Sequence, residues 1–337
     1  MSDMERLGWW RREPAPEGEG FRYVKVDGSA LTSEAVLRRI ASLAIPPAWT
    51  DVHIAPTPTR KVQAWGRDAA GRKQYRYSED HVRQQDGRKW DRVLRYARRL
   101  PELREATNRD LKRPEPDREK VMATVVRLMS RAYFRIGSER YATENRTFGI
   151  ATLRKKHLRI DGRDLYFTYA GKGRKDNRRV VAETPLVEVI EQILELPGRR
   201  LFQYRDDEGK VRPVTAPGVN AYIQSILGER YTSKDLRTFG GTVRAATILA
   251  DLGPEPRARV AEKNAVLACK LVASELGNTP AVCRKAYIHP AVLEAYVESG
   301  ATIEPLMRKE ARPIAEEEPV RYYAEEAALM RFLESFA

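Results

Sequence analysis

Leu276-Gly277-Asn278-Thr279-Pro280-Ala281-Val282-Cys283-Arg284-Lys285-Ala286-Tyr287 reads as the end of one helix, a corner and the start of another. Gly277 follows an apolar helical pattern and suits the left-handed position that closes a helix. Thr279 is a good N-cap, and Pro280 falls at the first helical position, where its missing N–H is not needed. The corner confines Asn278, and Tyr287 is expected about two turns into the second helix. Taken alone, the stretch is a helical corner with a half-buried tyrosine. Its neighbours in the chain give it more meaning.

The helix leading into the corner is expected over 255–276. Before it, Thr232-Ser233-Lys234-Asp235-Leu236-Arg237 opens a helix running to about Ala250, with Ser233 as its N-cap. Arg237 then lies near a helix N-terminus, where the dipole disfavours a cation and invites an anion to join it. Residues 151–183 switch to period two. Leu158 and Ile160, then Leu165, Phe167 and Tyr169, alternate around Asp161-Gly162, which predicts a hairpin. A third strand near Arg179–Ala182 is reached through Gly171-Lys172-Gly173-Arg174-Lys175-Asp176-Asn177. Lys172 sits between two glycines there, but no phosphate-loop order G-x-x-x-x-G-K-[ST] is present. Further upstream, Asp117 caps a helix with Val121, Val125, Leu128, Met129 and Ala132 at helical spacing. That helix delivers Tyr133-Phe134-Arg135-Ile136-Gly137, and a helical segment follows over 138–145.

The first part of the chain differs. Residues 1–20 read as a mobile start anchored by Trp9-Trp10. From Phe21 to Tyr77 short strands prevail, with one helix over 33–45. Tyr75 and Tyr77 share a strand face in Gly71-Arg72-Lys73-Gln74-Tyr75-Arg76-Tyr77, either covering a core or offering aromatic rings among cations. Residues 78–89 lose the strand pattern and read as a linker, and a basic amphipathic helix is expected over 90–104. The expected fold class is therefore α+β in two domains. Residues 1–88 form a small β-rich domain, and 89–337 a larger, mainly α domain holding a short antiparallel three-stranded sheet. An acidic tail helix over 314–337 is expected to pack through Leu329, Phe332, Leu333 and Phe336.

Composition narrows the partners. The 337 residues are 42% hydrophobic, enough for a real core. Lys and Arg number 61 against 47 Asp and Glu, a net charge of +14 that favours a polyanion, nucleic acid before membrane. Two cysteines, Cys269 and Cys283, make neither a disulfide framework nor a zinc site and read as reduced core thiols. The four histidines are scattered, and no carboxylate cluster suggests a metal cage. The start Met1-Ser2-Asp3 lacks a signal-peptide core, and no apolar run reaches the roughly 18 residues of a membrane span.

Several motifs together resemble one family: Tyr133-Phe134-Arg135-Ile136-Gly137, Glu144-Asn145-Arg146-Thr147-Phe148-Gly149-Ile150, Thr152-Leu153 with His157, Gly171-Lys172, Lys234-Asp235-Leu236-Arg237-Thr238, and Leu276-Gly277-Asn278-Thr279-Pro280 with Ala286-Tyr287. They look like the type IB DNA topoisomerases of the compact, poxvirus-like bacterial kind, and Gly71-Arg72-Lys73-Gln74-Tyr75 resembles that family's N-terminal DNA-clamping domain. The resemblance covers roughly residues 20–300. It implies a monomer closing as a C-shaped clamp on duplex DNA in the cytoplasm, on the nucleoid, with no metal or other cofactor. It makes Tyr287 the nucleophile, completes the site with Arg135, Lys172, Arg237 and Asn278, and places Gln74, Tyr75, Tyr77, Ser138, Tyr141 and Lys234 on DNA. Poxvirus and eukaryotic members carry His at the position of Asn278. An amide donates a hydrogen bond but no charge, so this contact is expected to be weaker.

Those residue types suit the implied reaction. Attack on a phosphodiester builds an anionic phosphorane, which two bidentate arginines can hold. A lysine on a turn can protonate the leaving 5′-oxygen, and the phosphotyrosine conserves the bond, so resealing needs no ATP. Tyrosine recombinases share this chemistry, but would show His-x-x-Arg at Lys234-Asp235-Leu236-Arg237 and usually carry a helical N-terminal domain. A non-catalytic basic DNA-binding protein would satisfy the charge, yet gives no reason for Arg135, Arg237 and Tyr287 to occur in these contexts.

Overall fold

The computed structural model describes residues 8–16, 20–228, 230–310 and 322–336. The chain divides into two compact units, Met1–Trp90 and Asp91–Ala337.

The first unit is built on an antiparallel five-stranded sheet: β1 (Trp10–Pro14), β2 (Phe21–Val24), β3 (Thr50–Ile54), β4 (Val62–Arg67) and β5 (Lys73–Tyr77), in the order β2-β1-β3-β4-β5. Helix α1 (Glu34–Ser42) covers one face. Val52, Ile54 and Ala64 meet Ile40 there, with Trp10, Val36, Leu43 and Trp49 packed around them. The period of two in β3 thus turns Val52 and Ile54 inward and His53 to the opposite face. Strand β1 places an ordered element within the start expected to be mobile. Its polar side chains hide the pattern, and it is held by pairing with β2 and β3 and by the packing of the half-buried Trp10 against the core. Residues 1–7 and 17–19 lie outside the described residues.

The expected linker at 78–89 is also corrected. Helix α2 (Glu79–Arg98) occupies it, opening on Glu79 and Asp80, which suit the positive end of a helix. Its first half is too polar to show an apolar face, so the sequence pattern misses it. The helix expected over 90–104 is instead broken at Arg99, because Pro101 must sit at the start of a helix and not inside one. It opens α3 (Leu100–Leu111).

The second unit packs around α4 (Arg118–Ala132), whose Val121, Val125, Leu128 and Met129 are fully buried. After α5 (Glu139–Glu144) comes the sheet β6 (Leu158–Asp161), β7 (Asp164–Ala170) and β8 (Asp176–Ala182). Asp161 pairs with Asp164 across the predicted turn, where Gly162 takes φ +58°. Leu165, Phe167 and Tyr169 are buried as their alternation requires, with Phe134 edge-on to Phe167 and stacked on Tyr169. Then follow α6 (Thr184–Glu195), a two-stranded ribbon β9 (Gln203–Arg205) and β10 (Val211–Pro213), α7 (Ala216–Leu227) and the long α8 (Ser233–Leu252). Its N-cap is Thr232, not Ser233. Thr232 and the buried Asp235 close a reciprocal cap. Helices α9 (Ala258–Leu276), α10 (Pro280–Ala286), α11 (Pro290–Ser299), α12 (Glu304–Glu310) and α13 (Ala324–Glu334) complete the unit. Of the tail residues expected to pack, Leu329, Phe332 and Leu333 are buried, while Phe336 is exposed and leans on Phe332. Residues 314–321 and 337 of that tail lie outside the described residues.

Candidate active site

Helix α9 ends as its glycine predicts. Gly277 takes φ +64°, and the N–H of Asn278 returns to the carbonyl of Ala273 at 2.9 Å. Three successive carbonyls at this end, those of Glu275, Leu276 and Gly277, each accept a hydrogen bond from a different arginine. Arg179 of β8 donates to Glu275, Arg237 of α8 to Leu276 at 2.9 Å, and Arg135, just past α4, to Gly277 at 3.1 Å. The end of a helix carries partial negative charge and unpaired carbonyls, so it can gather cations that would otherwise repel one another.

Arg237 is the most enclosed of the three, only 5% exposed. Its second arm donates to the carbonyl of Tyr133, the left-handed residue capping α4. One guanidinium is therefore held by the C-terminal ends of two helices. This corrects the expectation drawn from its own helix: the side chain leaves the N-terminal field of α8 and ends among carbonyls. Burial, and then the charge of Arg135, lower its pKa, but a guanidinium stays cationic in a protein. Two adjacent cations sheltered from water form a site prepared for an anion. Tyr169, packed below, feels all three arginines, and burial nonetheless raises its pKa.

Asn278 accepts from Arg135 through Oδ1. An arginine has only donors, so the orientation of the amide is chemically forced and Nδ2 points the other way. That Nδ2 has no hydrogen-bond partner of good geometry. It lies beside the buried thiol of Cys283, whose pKa burial raises.

Tyr287 is not inside its helix, as the spacing suggested, but ends it. Its φ of −129° and ψ of −7° leave the helical range, and its N–H still reaches the carbonyl of Cys283 at 2.9 Å. The ring centroid lies 5.6 Å from Cζ of Arg237. Thr242 Oγ1 donates to the Tyr287 carbonyl at 3.2 Å. The backbone can come this close to α8 because residue 241 is glycine. A Cβ there would stand 2.8 Å from the Tyr287 carbonyl oxygen, and one on Gly240 2.5 Å from the Tyr133 ring. Sequence reasoning missed both glycines. Their signal was an adjacent pair within a helical pattern.

Arg135, Arg237, Asn278 and Tyr287 are thus brought together. Lys172 is not: it is exposed on a short turn, Lys172–Arg174, in which Gly173 takes φ +73°. Lys234 is exposed in the first turn of α8, beside Asp235, which is buried and paired with Arg92 at 2.7 Å. Ser138 caps α5, accepting from the N–H of Tyr141, and Tyr141 is 53% exposed. In the first unit Tyr75 and Tyr77 are exposed and stacked at 6.0 Å, which removes the core alternative. They continue a row across the sheet: His53 pairs with Trp65 and Trp65 with Tyr75, and Lys73 Nζ stands 3.8 Å over the Trp65 ring. The sequence did not single out His53 and Trp65. Gln74 alternates to the other face and donates to Asp68 at 2.9 Å. Among the described residues no group of His, Cys, Asp and Glu is placed to hold a metal ion, and no helix is long and apolar enough to cross a membrane.

Residues 72–312 match the family described as eukaryotic DNA topoisomerase I, catalytic core. Residues 20–68 match the one described as bacterial DNA topoisomerase IB, N-terminal domain. DNA topoisomerase 1B of Acanthamoeba polyphaga mimivirus is 33% identical over 83% of this chain and 85% of its own length. DNA topoisomerase 1B of vaccinia virus (strain Western Reserve) is 25% identical over 68% and 70%. A solved XerH site-specific recombinase bound to a palindromic difH substrate aligns with a TM-score of 0.37 at 14% identity, over 59% of this chain and 50% of that one, too slight a likeness to argue from. Fold, site and matches define a topoisomerase I catalytic core behind a bacterial-type N-terminal domain. The chain belongs to the type IB DNA topoisomerase family. As an enzyme of that class it acts on DNA.

Proposed function

We propose that this enzyme relaxes positive and negative supercoils by nicking and resealing one strand of duplex DNA, without ATP or metal. Tyr287 Oη gives up its proton to solvent and attacks the scissile phosphorus. The bond to the 5′-oxygen breaks, Lys172 protonates that oxygen, and a 3′-phosphotyrosine remains. After strand rotation the 5′-hydroxyl, giving its proton back to Lys172, attacks the phosphorus; the bond to Tyr287 breaks and the phenolate takes up a proton from solvent. Arg135 and Arg237 hold the nonbridging oxygens of the phosphorane. Asn278 donates from Nδ2, because its Oδ1 is engaged by Arg135. Lys234 contacts phosphate near the leaving oxygen.

The observation that carries this function is the gathering of Arg135, Arg237, Asn278 and Tyr287 at one helix end. The residues 1–88 and 89–337 act as the two parts of a C-shaped clamp, working as a monomer on the nucleoid. The exposed Tyr75 and Tyr77, and Ser138 and Tyr141 on the other part, contact the duplex, while Gln74, on the opposite face of the strand, braces the turn at Asp68.

Relaxation of supercoiled plasmid in EDTA, by wild type and Tyr287→Phe, tests it. The wild type should relax both signs of supercoil. Denatured during reaction, it should stay attached to the 3′ side of the nick, leaving a free 5′-hydroxyl. Tyr287→Phe should bind and not relax. Attachment to a 5′-phosphate, an adduct with Tyr287→Phe, recombinant products, or activity lost in chelator and restored by metal would each contradict the proposal.

A further inference from the structure

The Lys172 turn is exposed and makes no hydrogen bond or ion pair of its own among the described residues, yet its base is tied down. Asn177, at the far side of the turn, donates through Nδ2 to the carbonyl of Lys175 at 2.8 Å, and Gly171 N–H reaches that same carbonyl at 2.8 Å. Asn177 fills the space beside both corner glycines. A Cβ on Gly171 would stand 2.2 Å from its Nδ2, and one on Gly277 3.3 Å from its Oδ1. Arg179 closes the arrangement, donating to Asn177 Oδ1 at 3.3 Å and to the carbonyl of Glu275. No carboxylate pairs with Arg179 among the described residues, and its Nε is buried without a partner. A buried, orphaned donor is unfavourable. The guanidinium is held there by its other two nitrogens: Nη2 makes both links, to Asn177 and Glu275, and Nη1 donates to the carbonyl of Arg178 at 3.2 Å.

We propose that Arg179 is a positioning residue for cleavage. It fastens the base of the Lys172 turn to the end of α9, the same end that holds Arg135 and Arg237, so that Lys172 reaches the leaving 5′-oxygen in register with Tyr287. The inference rests on the acid role proposed above for Lys172. Because the link runs to the turn, its loss should impair proton delivery and leave phosphorane stabilisation to Arg135 and Arg237.

That difference can be measured on a duplex with one mapped cleavage site, prepared with oxygen or with sulfur as the 5′ bridging atom. Sulfur leaves without a proton. The ratio of sulfur to oxygen cleavage rates is read on each full-length variant, and within one preparation it does not depend on the fraction folded. Lys172→Ala should raise the ratio by about a hundred- to ten-thousand-fold. Arg179→Ala should raise it in the same direction, by about a hundredfold, the scale of a misplaced catalytic group. Arg179→Lys, which keeps one donor, should fall between wild type and Ala, and serves if Arg179→Ala does not fold. Equal losses on both substrates, or none, with Lys172→Ala rescued by sulfur, would overturn this inference alone. A Lys172→Ala ratio unchanged from wild type would remove the acid role of Lys172 and this inference with it.

Discussion

Arg237 and Leu276 are joined by a hydrogen bond from guanidinium to main-chain carbonyl at 2.9 Å, which fixes a buried cation to the end of a different helix. The other arm of Arg237 holds the carbonyl of Tyr133. The cation is thus preorganised by backbone, not by a carboxylate that would compete with a phosphate.

A lysine cannot span both carbonyls and still present a planar face to an oxyanion. Arg237→Lys should therefore lower single-turnover cleavage by about a hundred- to a thousandfold, as loss of an oxyanion donor does, with duplex binding kept. A rate close to wild type would show that charge alone is needed at this position.

Gly241→Ala places a Cβ 2.8 Å from the Tyr287 carbonyl oxygen, a contact with backbone that cannot rotate away. Overpacking of this kind destabilises by about 1–3 kcal/mol. The displaced nucleophile should also slow cleavage by about a hundredfold. Thermal melting and single-turnover cleavage should both register the change. Wild-type values of both would mean that α8 and the Tyr287 segment separate without consequence.

Tyr75→Ala combined with Tyr77→Ala strips two exposed rings from the outer face of the first unit. Binding of duplex DNA should weaken by about tenfold, ~1.4 kcal/mol, and be lost at lower salt, while cleavage at saturating protein persists. An unchanged salt titration would remove this face from the DNA contact.

His157 lies tilted against Phe148, ring centroids 4.5 Å apart, and accepts the N–H of Arg154 on Nδ1. Burial first, then Lys156 and Arg154, hold its pKa down at about 4, against an ordinary value of 6.5. The unfolded chain then binds a proton that the folded chain refuses between those values. The stability contributed is fully present above pH 6.5 and is lost as pH falls toward 4. Burial lowers His53 in the same sense. The melting temperature should fall as pH drops through this window, and less steeply in His157→Gln, whose amide oxygen can still accept from Arg154. Identical slopes would show that His157 does not carry the dependence.

Elements are legible in the sequence where local chemistry dictates them. Gly277 and Thr279-Pro280 dictate a corner because only particular residues suit those backbone positions, and the corner is there. Period two in 158–169 dictates strands with Leu165, Phe167 and Tyr169 inward, and they are buried. Signals fail where stability comes from elsewhere. β1 is polar and exists by pairing, and the first half of α2 has no apolar stripe to announce it.

By itself the sequence determined the order of the motifs, the family, and which residue types were available for the chemistry, because these depend on identity and short spacing. Only the tertiary structure decided that Arg179, Arg237 and Arg135 take three successive carbonyls of one helix end. Only there does Arg237 escape the field of its own helix, and only there do Gly240 and Gly241 clear room for Tyr133 and Tyr287. The partners in these contacts lie 39 to 142 residues apart. Their meeting depends on how helices pack, and no local pattern of residues encodes a distance across a core.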